Sequence, residues 1–321
     1  MIINVARQDD LFVYHCNGET DNIDLKIFVE KLYDSGLKNF TVNIEGKFGA
    51  TGSFTVGNTS GHITLDFSNC RDIVVEDTFL TATNCTIRNL KLTVFGGDSI
   101  IALRGTNSTF EHCTVAGMFA GGACYVYEIT NSKMFDCDCD MLNSDTIFGI
   151  KGTNSIVQGC RIKVVSVYGS AYGIDMSGTF VSDSFFEGKT DATDSDTSGN
   201  GGVGGGYFSN CQFIGIGGLK GNGFFIVSGY WLTMINCVAR GYTKSSSTST
   251  RIGAGITGDS NDATTVSLLG LNCNQVTLSG FTQTKSLELL SGHGVYSGTF
   301  FMAPNVGTNI VSHGSYVRNR T

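Results

Sequence analysis

A ten-residue phrase occurs three times at nearly constant spacing, and few folds can hold such a repeat. Residues 104–113 read RGTNSTFEHC, residues 128–137 read EITNSKMFDC and residues 151–160 read KGTNSIVQGC. In each the Asn stands six before the Cys: Asn107 and Cys113, Asn131 and Cys137, Asn154 and Cys160. Successive cysteines are 24 and 23 residues apart. A fixed period of that size, with turn formers and one small inward residue in register, marks a solenoid whose repeat is a single supersecondary unit.

The period extends in both directions. Cys85, Cys113, Cys137, Cys160, Ser184, Cys211, Cys237 and Cys273 form a ladder, and an apolar residue usually stands three places before each (Phe110, Met134, Val157, Val181, Phe208). A second inward candidate follows two places later: Val115, Cys139, Ile162, Phe186, Phe213, Ala239. Strands of three to six residues punctuated by Gly, Asn, Ser and Asp fill each period, about three per turn. The phrase's Asn side chains are expected to satisfy turn backbone groups coil after coil. Longer intervals locate loops at 189–206 and 244–263, which are candidate binding edges.

One segment has helical rather than strand periodicity. Apolar residues at 25, 28, 29, 32 and 33 form a stripe from Asn22 to Ser35, with Asp21 and Asn22 as caps and Gly36 as the stop. A single amphipathic helix ahead of a solenoid covers the open end of its core. The chain therefore divides into a lead-in and capping helix (1–39), a parallel β-helix (40–285) and C-terminal strands (286–321) that serve as an end cap or a trimerisation segment.

Composition narrows the function classes. The 321 residues include 43 Gly and one proline, Pro304, which suits many tight turns and argues against disorder. The net charge is −7 and charged residues make up only 15%, with no basic stripe, so a nucleic-acid partner is not expected. The 11 cysteines sit largely on the inward ladder and read as free thiols, which implies folding in a reducing compartment. No basic n-region with an apolar h-region opens the chain, and no apolar run approaches a membrane span.

A capping helix followed by Gly/Asn-punctuated coils of 23–27 residues with an inward Cys ladder resembles the right-handed, single-stranded parallel β-helix proteins of the pectate-lyase-like group. The Asp-Asn-Ile-Asp-Leu opening of the helix, then Gly36 and the strand Phe40–Ile44, looks like the start of phage tailspike β-helices in particular. The resemblance implies an all-β fold and a homotrimer at the tip of a phage tail, joined to other tail proteins. It also implies recognition of bacterial surface polysaccharide, often with hydrolase or lyase activity. Location in the virion after folding in the host cytoplasm agrees with the free thiols; otherwise the resemblance places the protein outside the cell.

Candidate chemistry falls into three groups. In Phe-Asp-Cys-Asp-Cys-Asp-Met (135–141), inward Cys137 and Cys139 leave Asp136, Asp138 and Asp140 outward on one face, roughly 6.5–7 Å apart. That spacing suits the acid, water and base of an inverting glycosidase. Asp138 and Asp140 lead the catalytic candidates, with Glu111 and Asp175 next; the alternative is a solvated acidic strand. Outward aromatics offer sugar platforms: Tyr127, Tyr172, Tyr230, Trp231 and Tyr242, for which burial between subunits is the alternative. Asp194-Ser-Asp196-Thr-Ser-Gly199 copies the opening of an EF-hand loop, but Gly205 replaces the closing Glu. No cofactor is expected, with Asp194 and Asp196 the residues that would hold calcium. Ser291-Gly-His293-Gly and Arg161-Ile-Lys163 copy polygalacturonase elements in reversed order, which argues against that site.

Overall fold

The chain winds into a β-helix in which every strand pairing among the described residues is parallel. The computed structural model describes residues 11–244 except 51, 60, 72, 77, 193–196 and 228–229, and beyond them the strands that lie between 254 and 313. One coil shows the plan. Cys124–Thr130 lies in a first ladder, Lys133–Phe135 in a second and Asp138–Asn143 in a third; Ile147–Thr153 then returns to the first, beside Cys124–Thr130. The third ladder is a nine-stranded sheet. The first two join in a larger one, because Ala171–Ser182 and Gly199–Ser209 run from one ladder into the other without a break. Strands Leu287–Leu290, Thr299–Met302 and Ile310–His313 extend the same parallel pairing.

The repeated phrase builds the corner between the first and second ladders. Asn84, Asn107, Asn131 and Asn154 have φ of 49–53°. Asn tolerates this left-handed conformation better than most residues do. Their side chains were expected to tie the coils together, but Asn107, Asn131 and Asn154 point into solvent. The serine that follows does that work from inside. The buried Ser132 hydroxyl donates to Thr130 O (2.7 Å) and accepts from Ser108 N–H (3.1 Å), and Ser155 repeats this toward Thr153 O and Ser132 N–H. Replacing Asn154 should separate the two roles. Asn154→Gly is expected to leave stability unchanged or raise it, whereas Asn154→Val lowers it by about 1–2 kcal/mol in urea denaturation, since a β-branched residue resists the left-handed region.

A second corner uses the same device, with Asn89, His112, Asp136, Asp183, Asn210 and Asn236 at φ of 51–57° and Gly159 at 66°. Two assignments change in consequence. Register sets Cys85 in the serine column, where its N–H bonds to Ser108 Oγ (3.2 Å), so it does not precede Cys113 on the cysteine ladder. Cys273 lies opposite Ala239, two places beyond the position of Cys237. Cys113, Cys137 and Cys160 do stack in the core, and the described cysteines are free thiols. The segment 189–206 also differs from the expected loop. Lys189 lies within strand Phe185–Thr190, and Gly199–Ser209 is a strand whose glycines allow backbone to pass close to backbone.

Asp21–Asp34 is the one helix among the described residues, and it closes the N-terminal end of the core. Leu25, Phe28 and Val29 are buried there, with the Phe28 ring 6.5 Å from Phe12 and 5.8 Å from Tyr14, and Phe12 in turn 5.9 Å from Phe40. Among the described residues no helix is long and apolar enough to cross a membrane.

Candidate functional site

The expected carboxylate row does not assemble. Asp138 and Asp140 point outward from the third ladder, as alternation requires, but Asp136 occupies the preceding corner at φ 51° and is not on the strand. The next coil sets Arg161 beside Asp138 and Lys163 beside Asp140. These cations lie 5.9 Å from the Phe185 ring. Each exposed aspartate thus faces a cation rather than a second acid. Glu111 is on the second ladder, where Arg88 Nε donates to its Oε2 at 2.6 Å. Glu111 is thus held in an ion pair on one face, while Asp138 and Asp140 stand exposed beside cations on another, so the candidate acids form no common site.

The aromatic candidates divide as well. Tyr127 is fully buried, its hydroxyl 3.3 Å from the carbonyl oxygens of Cys113 and Asp138, so it is not a binding platform. Simple alternation misplaces it because the strand bends at Val126 and Tyr127, turning two successive side chains inward. Tyr172 stays outward but stacks on Phe148 (4.6 Å, 11°), which stacks on Tyr125 (4.9 Å, 14°). Rings that share faces mainly offer their edges to a ligand. Tyr242 is 48% exposed on the third ladder, at the end of the row Phe95, Met118, Leu142, Val165, Lys189, Ile216, which is apolar but for the lysine.

The remaining candidates converge at the corner between the first and second ladders. The row Arg104, Glu128, Lys151, Asp175 alternates in sign coil by coil, and Arg104 Nε donates to Glu128 Oε2 at 2.7 Å. Asp175 ends the row, with Val203 next. It is half-buried, and among the described residues nothing hydrogen-bonds to its carboxylate. Burial raises its pKa above the usual carboxylate value, with Lys151 opposing. Beyond Asp175 the corner loses its side chains. Thr-Asn occupies it in the coils at 130–131 and 153–154, then Ser177-Gly178, then Gly204-Gly205-Gly206, and the register shifts between Met176 and Thr179.

Aromatic rings gather around this bare corner. Phe180 is 57% exposed and tilted 43° to Tyr207 at 5.8 Å. Trp231 is 44% exposed and stands two places before Thr233, the partner of Tyr207. Tyr230 packs over Gly205, where a Cβ would stand 2.6 Å from its own Cβ. Asp175 on the first ladder and Phe180 on the second, missed in the sequence, thus flank the same corner, and Tyr230 and Trp231 lie over Gly205 in the next coil. The signal for Phe180 was present: Val181 belongs to the inward column, so Phe180 must face out. Asp194 and Asp196, His293 and most of the 244–263 segment lie outside the described residues.

No protein-family model matches the chain, and no curated protein matches it in sequence. Solved structures that are similar include the A-module of Azotobacter vinelandii mannuronan C-5 epimerase AlgE4, at 10% identity over 92% of this chain and 97% of that one, with a TM-score of 0.32. Bacteriophage CBA120 tailspike protein 3 matches at 11% identity over 97% of this chain and 61% of the tailspike, with a TM-score of 0.34. The catalytic domain of a GH87 α-1,3-glucanase in complex with nigerose matches at 10% identity over 94% and 69%, with a TM-score of 0.26. Scores this low bear on neither site nor substrate, and the parallel β-helix rests on the strand register itself.

Proposed function

We propose that this protein is a receptor-binding protein of the phage tail-spike type, which holds bacterial surface polysaccharide on the flank of its β-helix. The observation that carries the reading is the corner that bears the exposed rings of Phe180 and Trp231, with Tyr207 against Phe180. On its first-ladder side it has the half-buried Asp175 carboxylate, which accepts no hydrogen bond among the described residues. Exposed aromatic faces flanked by a few polar groups match pyranose rings, whose C–H faces are apolar and whose rims carry hydroxyls. Free thiols throughout the described core fit folding in a host cytosol before assembly into a virion. The exposed row of Phe95 and Met118, ending at Tyr242, fits a flank that packs against other copies in a homotrimer.

Two measurements test the reading. Purified protein should bind surface polysaccharide of a susceptible strain in calorimetry, and Trp231→Ala should weaken that binding by about tenfold or more, the cost of losing an aromatic anchor. Unchanged affinity in the variant would remove the corner as the site. Sedimentation at micromolar concentration should give a trimer; a monomer would remove the tail-spike reading. If the protein shortens the polysaccharide and releases new reducing or unsaturated ends, it is instead a depolymerase on the same scaffold.

A further inference from the structure

We infer that the glycan seated at this corner is an uncharged polysaccharide, stacked on Phe180, Tyr207 and Trp231, with its hydroxyls donating to the Asp175 carboxylate. The inference rests on the reading above and adds the chemical class of the ligand. Asp175 sets that class. An ionised carboxylate only accepts hydrogen bonds, and a half-buried one needs donors that the described protein does not supply. Sugar hydroxyls are such donors, and two neighbouring hydroxyls can engage both oxygens. A uronate or sialate in the same place would set a second negative charge against it.

The surroundings agree. The outward side chains around the aromatic rings in register are Ile156, Ser182, Ser209 and Thr233, with Ser177 at the corner, and none of them is charged. Lys151, the register neighbour of Asp175 whose charge acts on it without a hydrogen bond, has its Nζ 4.8 Å from the Tyr125 ring and 5.6 Å from Phe148, which directs it toward the coil before its own. Lys133 is two coils away from Phe180 in the same row. Arg161 and Lys163, which could meet an acidic sugar, stand on the third ladder opposite Asp138 and Asp140. The chain's net charge of −7 further disfavours a polyanion.

The test uses the full chain and a panel of purified O-antigen and capsular polysaccharides, some wholly neutral and some containing uronic or sialic acid. The expected binders are neutral, with affinity changing less than about twofold between 50 and 500 mM NaCl because no ion pair is screened. Asp175→Asn should lose about tenfold or more, since hydrogen bonds to a charged acceptor are the strong ones. Phe180→Ala and Trp231→Ala should lose comparably. Asp175→Asn should not lower the melting temperature at pH 7, because it removes a poorly solvated charge; a structural role would show as a lower one and overturn the assignment. Binders that are all acidic, with affinity falling steeply in salt, would overturn the ligand class while leaving glycan recognition standing. Neutral binding unaffected by all three substitutions would overturn the site. If no member of the panel binds, both the inference and the reading beneath it fall.

Discussion

Gly201→Val is expected to abolish folding of the coils from Gly199 onward. Gly201 belongs to an inward column that reads Ala102, Val126, Gly149, Gly173, Gly201, Gly223, Gly255 along the first ladder. Early in the column a side chain fits. By Gly201 a Cβ would stand 2.5 Å from Ile214 N, 2.7 Å from Gly223 O and 2.9 Å from Phe213 C, all backbone atoms of other strands. The reason lies across the core, where Phe186 and Phe213 stack at 5.4 Å and Phe224 packs edge-on against Phe213 at 5.1 Å. Those rings use the interior that Val126 uses in its own coil. A valine at Gly201 would have to push two ladders apart, and no rotamer change relieves a clash with backbone. The cost should exceed about 4 kcal/mol, the range reserved for a named structural fault. Because coils of a solenoid contact only their neighbours, the damage should stay local at first. Limited proteolysis is expected to leave a resistant N-terminal fragment ending before Gly199. Val126→Ala in the same column should leave a folded protein weakened by about 2–3 kcal/mol through a small cavity. Equal proteolytic patterns in wild type and Gly201→Val would refute this account of the column.

The column also shows how far the sequence could be read. Its period, its inward cysteines and its capping helix were legible because each is a local chemical choice repeated in register. The phase within a coil was harder. Alternation by two assumes a flat strand, and the bend at Val126–Tyr127 breaks it, so Tyr127 was placed outside when it lies at the centre of the core. Two corners share one left-handed chemistry, which let Cys85 of the first corner pass for a member of the ladder at the second. The acidic segment 136–140 failed for a related reason: Asp136 turns the corner, and the cations that answer Asp138 and Asp140 come from the next coil, 23 residues on. Asp175 looked weaker than Asp138 because it stood alone on its strand. What distinguishes it is that, among the described residues, its half-buried carboxylate accepts no hydrogen bond, although Lys151 stands beside it in register.

Asp21→Ala is expected to cost about 3–5 kcal/mol, although it alters one residue at the end of the molecule. Asp21 is wholly buried at the start of the helix, and both of its oxygens are used. Oδ1 accepts from Tyr14 OH (3.1 Å) and Asn17 N–H (2.6 Å), and Oδ2 accepts from Gly18 N–H (2.8 Å) and Gly49 N–H (2.8 Å). It was expected to cap the helix. Instead it ties together the end of strand Leu11–His15, the turn into the helix and the segment after strand Asn39–Gly46. Alanine would leave three backbone N–H groups and a phenol without that acceptor, each worth about 1–3 kcal/mol when buried and unsatisfied. Tyr14→Phe removes a single donor and should cost only about 1 kcal/mol. Asp21→Asn should fall between the two, because its amide nitrogen would face N–H groups that need an acceptor. The cap should loosen before the coils do, exposing Phe12, Phe28 and Phe40 together with an unpaired parallel edge. Aggregation that rises with protein concentration below the main melting transition is the expected signature in light scattering. If Asp21→Ala and Tyr14→Phe denature at the same urea concentration, the carboxylate does not hold the cap.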